Sequence, residues 1–205
     1  EGYPGNLDVT VKYVLREDGI AIQVSGTPDQ DTLFAFTNHS YFNVDGSDSV
    51  LNQELKIEST QFSLNDSDGM ATGVIRDTED TPFDFREFHT IGERINDDDI
   101  QLKEALGYDH YCPIPGTGMR KMAELKGNKV SVSLWSDLPG MQFYSANYTD
   151  GLTGKYGRSY TPRCAMALEA EFCPNAVNYE NIAEKPIVKA GETLTCEIRF
   201  LLKTL

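Results

Sequence analysis

No apolar run in this sequence approaches the roughly 20 residues that a membrane-spanning helix needs. A mean hydropathy of −0.40 with 40% hydrophobic residues fits an ordinary globular chain, neither disordered nor membrane-embedded. Basic residues are scarce: 18 Lys and Arg stand against 32 Asp and Glu, a net charge of −14. Such a surplus repels phosphate backbones and anionic lipid surfaces, so neither nucleic acid nor a membrane is the expected partner. Cysteine is sparse too. Cys112, Cys164, Cys173 and Cys196 form no CxxC pair and have no histidine at ligand spacing, so they read as reduced thiols of a cytoplasmic protein, with no metal site and no disulfide framework. The chain opens on Glu1 without a charged, apolar and small-residue leader, which reads as a start in mid-chain and gives no signal for secretion. Helix signals are almost absent, with only Ile100 to Leu106 suited to one short helix.

What the sequence does have is a period of two. Leu7, Val9, Val11, Tyr13 and Leu15 alternate with mostly polar residues, Arg16-Glu17-Asp18-Gly19 supplies a turn, and Ile20, Ile22 and Val24 resume the alternation as the second arm of a hairpin. The same pattern predicts strands over Thr32 to Asn38, Glu54 to Glu58, Lys129 to Trp135, Gly140 to Asn147, Ala165 to Glu171 and Thr193 to Leu202. Recurring strands with Gly- and Asp-rich connections point to an all-β antiparallel sandwich, and 205 residues without repeats or a linker make one domain the simplest organisation. The long connections Asn65 to Thr81 and Pro113 to Met119 are candidates to wall a binding site.

Several short motifs carry no chemistry. Asn65-Asp66-Ser67-Asp68-Gly69 lacks the distal Glu of a calcium loop and reads as a turn. Gly151-Leu152-Thr153-Gly154-Lys155-Tyr156 lacks the spacing and the hydroxyl residue of a phosphate-binding loop.

Three segments set one imidazole and two carboxylates where strands are expected to end: Asn38-His39-Ser40-Tyr41-Phe42-Asn43, Gly107-Tyr108-Asp109-His110, and Leu168-Glu169-Ala170-Glu171. That set suits proton transfer on a neutral polyol. Residue type alone leaves His39 and Asp109 open between structural and functional roles, and His110 reads as a group that orients Asp109. Glu169 is harder to explain structurally, because it interrupts a run of small and apolar residues where an ionised carboxylate costs free energy unless paired or used.

These segments together resemble the aldose 1-epimerase (galactose mutarotase) family. The likeness runs through Glu1-Gly2-Tyr3-Pro4-Gly5-Asn6-Leu7, Asn38 to Asn43, Thr81-Pro82-Phe83-Asp84-Phe85-Arg86, Gly107 to His110, Gln142-Phe143-Tyr144, and Leu168-Glu169 with Pro174-Asn175. The resemblance implies a galactose mutarotase-like supersandwich, here the C-terminal part of the family fold over residues 1–205, and reversible ring opening of an aldohexose without a cofactor. It implies His39 as the general acid at the ring oxygen and Glu169 as the general base at the anomeric hydroxyl. Asp109 and Gln142 would hold sugar hydroxyls.

The sequence also departs from the family pattern. The family's N-terminal strands, which supply an Asn-Arg pair and a further histidine, have no counterpart here, so a truncated relative is expected to self-associate or retain an N-terminal partner fragment. Glu171 stands where the family usually has Gln, and Tyr111 where Asn is common, which bears on hydroxyl recognition. A sugar-binding module without turnover, and a glycosidase using Asp109 and Glu169, remain as alternatives.

Overall fold

The computed structural model describes residues 2–205; Glu1, the first residue of the opening motif, lies outside the described residues. The chain runs through β1 (Leu7–Arg16), β2 (Gly19–Pro28), β3 (Thr32–Leu33), β4 (Tyr41–Phe42), β5 (Glu54–Ile57), β6 (Gln61–Asn65), β7 (Ala71–Asp77) and β8 (His89–Thr90) to a single-turn helix, α1 (Ile100–Glu104). There follow β9 (Asp109–Pro113), β10 (Arg120–Lys126), β11 (Val130–Ser136), β12 (Gly140–Tyr144), β13 (Leu152–Thr153), β14 (Ser159–Tyr160), β15 (Met166–Glu171), β16 (Ile187–Val188) and β17 (Leu194–Thr204).

A seven-stranded antiparallel sheet has the order β1-β2-β17-β11-β10-β5-β8, and a four-stranded one the order β4-β15-β12-β9. Their inner faces share one core. Ile22, Ile198, Val132, Leu134, Leu125 and Leu55 of the large sheet pack with Met166, Leu168, Met141 and Phe143 of the small one. Phe42 lies 4.8 Å from Phe200 across the gap, ring centroid to centroid. This is the antiparallel sandwich expected from the period of two.

The helix forms where expected, capped by the Asp99 side chain, which accepts from the Gln101 N–H. Other elements differ. The expected strand Thr32 to Asn38 keeps its ladder only at β3, which pairs with β16, and one further bond from the Phe34 N–H to the Pro186 carbonyl; Phe34 and Phe36 pack on the core, so burial preserves the alternation where the ladder stops. β10 escapes the pattern because a bulge between Lys121 and Ala123 turns two consecutive residues, Met122 and Ala123, inward. Much of the expected loop Asn65 to Thr81 is the hairpin β6-β7, closed by an Asx turn in which Asp66 accepts from the N–H groups of Asp68 and Met70. The other long loop is stapled by the Arg120 guanidinium to the carbonyls of Ile114, Pro115 and Gly118, at the far end of β9. It does not border the site.

β1 is an edge strand, and its apolar row is open to solvent: Val9, Val11, Tyr13 and Leu15 are between 41% and 87% exposed. Any association of this chain with a second polypeptide would draw on that row. Phe143, fully enclosed between Phe85 and Tyr108, is its opposite. Phe143→Ala is expected to destabilise the chain by about 3–5 kcal/mol in urea unfolding, and Leu15→Ala by under about 0.5 kcal/mol.

Candidate functional site

The small sheet has one face in the core and one turned outward. Alternation on β15 sends Met166, Leu168 and Ala170 inward, and Ala167, Glu169 and Glu171 outward. Antiparallel register sets Gln142 of β12 directly opposite Glu169, Tyr144 opposite both Ala167 and Asp109, and Gly140 opposite Glu171. Tyr41 of β4 pairs with Ala167 at the other edge. The outer face therefore gathers Tyr41, Glu169, Glu171, Gln142, Tyr144 and Asp109 from four strands distant in sequence.

His39, two residues before Tyr41, completes the group. Its Nε2 lies 3.4 Å from Glu169 Oε1; the histidine side chain is 50% exposed and the glutamate only 6%. The imidazole rests on Tyr41, with centroids 4.9 Å apart, and meets Tyr144 edge-on at 6.1 Å. Phe42, the residue after Tyr41, turns into the core, which leaves Tyr41 on the outer face of β4 beside His39. Glu169 sits inside β15 and not at a strand end as the sequence suggested.

Asp109 opens β9, and its position is set by the turn before it. Gly107 adopts φ +137°, and a Cβ there would lie 2.7 Å from Asn147 Oδ1 and 2.9 Å from Ser145 Oγ. Those side chains hold the turn: Ser145 Oγ accepts from the Tyr108 N–H, and Asn147 Nδ2 donates to the carbonyls of Ala105 and Tyr108. Arg163 donates to Asn147 Oδ1 from outside. The Asp109 carboxylate accepts from Gln142 Nε2 at 2.8 Å. The tip of the β6-β7 hairpin, Asp66 to Gly69, borders a small cleft that reaches Asp109 and none of His39, Gln142 or Glu169.

His110 is a core residue. Its ring lies 4.5 Å from Phe83, and burial pushes its imidazole down to about 3, so it is neutral. Nδ1 accepts from the Asp109 N–H and Nε2 contacts Gln101 Oε1, so it orients the Asp109 backbone. His89 is a partly exposed residue beside Glu93.

The electrostatics follow from burial beside like charge. Desolvation, reinforced by Asp109, pushes the Glu169 carboxyl up to about 7. Burial also raises Asp109, against the opposing pull of its Gln142 hydrogen bond and of His39. Glu171 is pushed up to about 8 by burial and then by Glu169 and Asp109. Among the described residues no cluster of His, Cys, Asp and Glu has the arrangement of a metal site, and all four cysteines are free thiols. Sequence reasoning underweighted Tyr144 and Glu171. The signal for both was the alternation that also aims Gln142 and Glu169.

The family model described as aldose 1-epimerase matches residues 1–201 of the chain. An aldose 1-epimerase of Escherichia coli (strain K12) is 34% identical over 185 residues, covering 87% of this chain and 53% of its own length. A galactose mutarotase of Bos taurus is 31% identical over 198 residues, covering 94% of this chain and 56% of its own length. The solved structure of the GalM/aldose epimerase homologue from C. elegans superposes with a TM-score of 0.86 at 27% identity, covering 100% of this chain and 62% of that one. The chain spans about half the length of the curated relatives it matches. With the match running nearly end to end on this chain's side, the chain belongs to the aldose 1-epimerase family.

Proposed function

We propose that the protein carrying this chain is an isomerase that interconverts the α and β anomers of an aldohexose such as galactose or glucose. The observation that carries the reading is the 3.4 Å contact between His39 Nε2 and Glu169 Oε1. The two oxygens that exchange protons in this reaction, O1 and the ring O5, share a single carbon, so an acid and a base serving them must reach into one pocket together. A sugar seated with C1 at this pair gives its O1 proton to Glu169. The C1–O5 electron pair leaves to O5, which takes a proton from His39, and the O1 lone pair closes the aldehyde carbonyl. Rotation about C1–C2 and the reverse transfers give the other anomer.

Asp109 is held by Gln142 and keeps a second carboxylate oxygen for sugar hydroxyls, while Tyr41 and Tyr144 offer aromatic surface to the ring. A base with a value near 7 suits work near neutrality, where it is both ionised and basic. The reaction moves only protons, so no cofactor is required. Family membership does not favour the glycosidase reading.

Freshly dissolved α-D-galactose should lose its excess optical rotation faster with the full-length protein than in buffer; equal rates would reject the reading, and calorimetric binding without acceleration would select a sugar-binding module. His39→Ala and Glu169→Gln should each lower kcat by at least about a hundredfold, the lower end of what one acid or base contributes. A loss below tenfold for either overturns its role.

Two pH dependences follow from Glu169. Catalysis needs the ionised form, so kcat should fall on acidification through about pH 7. Stability runs the other way: the folded state holds this proton more tightly than the unfolded chain does, so stability declines as pH rises from about 4.5 through about 7. Glu169→Gln should therefore raise the melting temperature at pH 8, by about 2–4 °C for each kcal/mol relieved, with the gain vanishing near pH 4.

A further inference from the structure

β15 carries a second carboxyl that the proton transfers do not use. Glu171 follows Glu169 by one two-residue repeat, so it shares the outward face about 7 Å further along the strand, a distance comparable with the width of one sugar ring. Its cross-strand partner is Gly140, which puts no side chain over it. The phenol of Tyr111 overlies that glycine from β9, since a Cβ at Gly140 would lie 2.2 Å from the Tyr111 hydroxyl. Beyond Glu171 a cleft opens, lined by Tyr3, Phe34, Met70 and Asn175. Among the described residues the Glu171 side chain takes part in no hydrogen bond and no ion pair, although it is only partly exposed.

We infer that Glu171 is a second sugar-binding carboxyl, which contacts a substrate hydroxyl remote from the anomeric carbon and so selects among hexoses by the hydroxyl presented there. The inference rests on the epimerase reading and extends it. A partly enclosed carboxyl without an internal partner depends on water for its hydrogen bonds, and a hydroxyl seated against it takes the place of that water. Burial and the neighbouring carboxylates keep the group protonated at neutral pH, so it both donates and accepts, which matches a hydroxyl.

The test compares wild type, Glu171→Met and Glu171→Gln in the full-length protein, with galactose and its 2-, 3-, 4- and 6-deoxy analogues. Glu171→Met, similar in volume but without hydrogen bonding, should raise the galactose KM at least fivefold and change kcat less than threefold. Glu171→Gln, whose amide donates and accepts, should recover most of that loss. One deoxy analogue should be penalised tenfold or more in kcat/KM by wild type but less than twofold by Glu171→Met, the signature of a removed pairwise contact. An unchanged KM in Glu171→Met, or a full set of deoxy penalties surviving the substitution, overturns the inference while leaving the epimerase reading in place. Wild type that fails to accelerate mutarotation overturns that reading itself. Should Glu171→Met not fold, Glu171→Ala with the same analogues decides by the same criteria.

Discussion

Glu169 is a carboxyl with 6% of its side chain exposed, set in a strand whose neighbours Met166, Ala167, Leu168 and Ala170 are fully enclosed. Water would solvate its charged form better than this sheet does, and the rest of the site is arranged around that mismatch. His39 stands against the carboxylate from the neighbouring edge, and Asp109 adds negative charge from across the sheet. Neither restores what bulk solvent would give. The result is a carboxyl whose titration is pushed up to about 7, near neutrality.

Sheet topology explains how the groups meet. The order β4-β15-β12-β9 follows the chain only loosely, so Glu169, Gln142 and Asp109 arrive on adjacent strands, with His39 just before β4, although they lie far apart in sequence. Antiparallel register then does the fine positioning: Gln142 is fixed opposite Glu169, and Tyr144 opposite Asp109. A one-residue slip of β15 would bury Glu169 among Phe143 and Met141 and expose Leu168, so the apolar inner face enforces the register on which the outer face depends. Strand ends are fixed separately, by the Phe42–Phe200 contact of β4, just after His39, and by the Gly107 turn before Asp109.

Legibility in the sequence followed the same division. The long strands β2, β11 and β17 were visible because each alternates in sequence and packs one face inward, and β1 because it alternates in sequence although neither of its faces is buried. β10 was not, since its bulge breaks the period that would have shown it. β3 was overextended because Phe34 and Phe36 alternate as a strand would while pairing with nothing beyond Pro186. For the site, residue type singled out Glu169 and the family resemblance added His39, Asp109 and Gln142, but adjacency depends on cross-strand register between segments that no local pattern relates. The exposed apolar row of β1 looked from its alternation like an ordinary half-buried strand; whether a face is covered is a property of the assembled sheets, not of the strand.

Charge sets the chemistry that this face can accept. Asp109, Glu169 and Glu171 are all raised in pKa, and each one ionised makes the next harder to ionise. Arg163, the cation beside the Gly107 turn, is committed to Asn147 and the Leu106 carbonyl and offers no counter-charge to a ligand. An anionic sugar would meet carboxyls from two strands, whereas a neutral polyol meets donors and acceptors. The chemistry needs only one of the three as a base. Burial and mutual repulsion push Glu169 up to about 7 and Glu171 up to about 8, so both carboxyls titrate near neutrality. In the proposed function, base and binding group are two identical side chains told apart only by their places along β15.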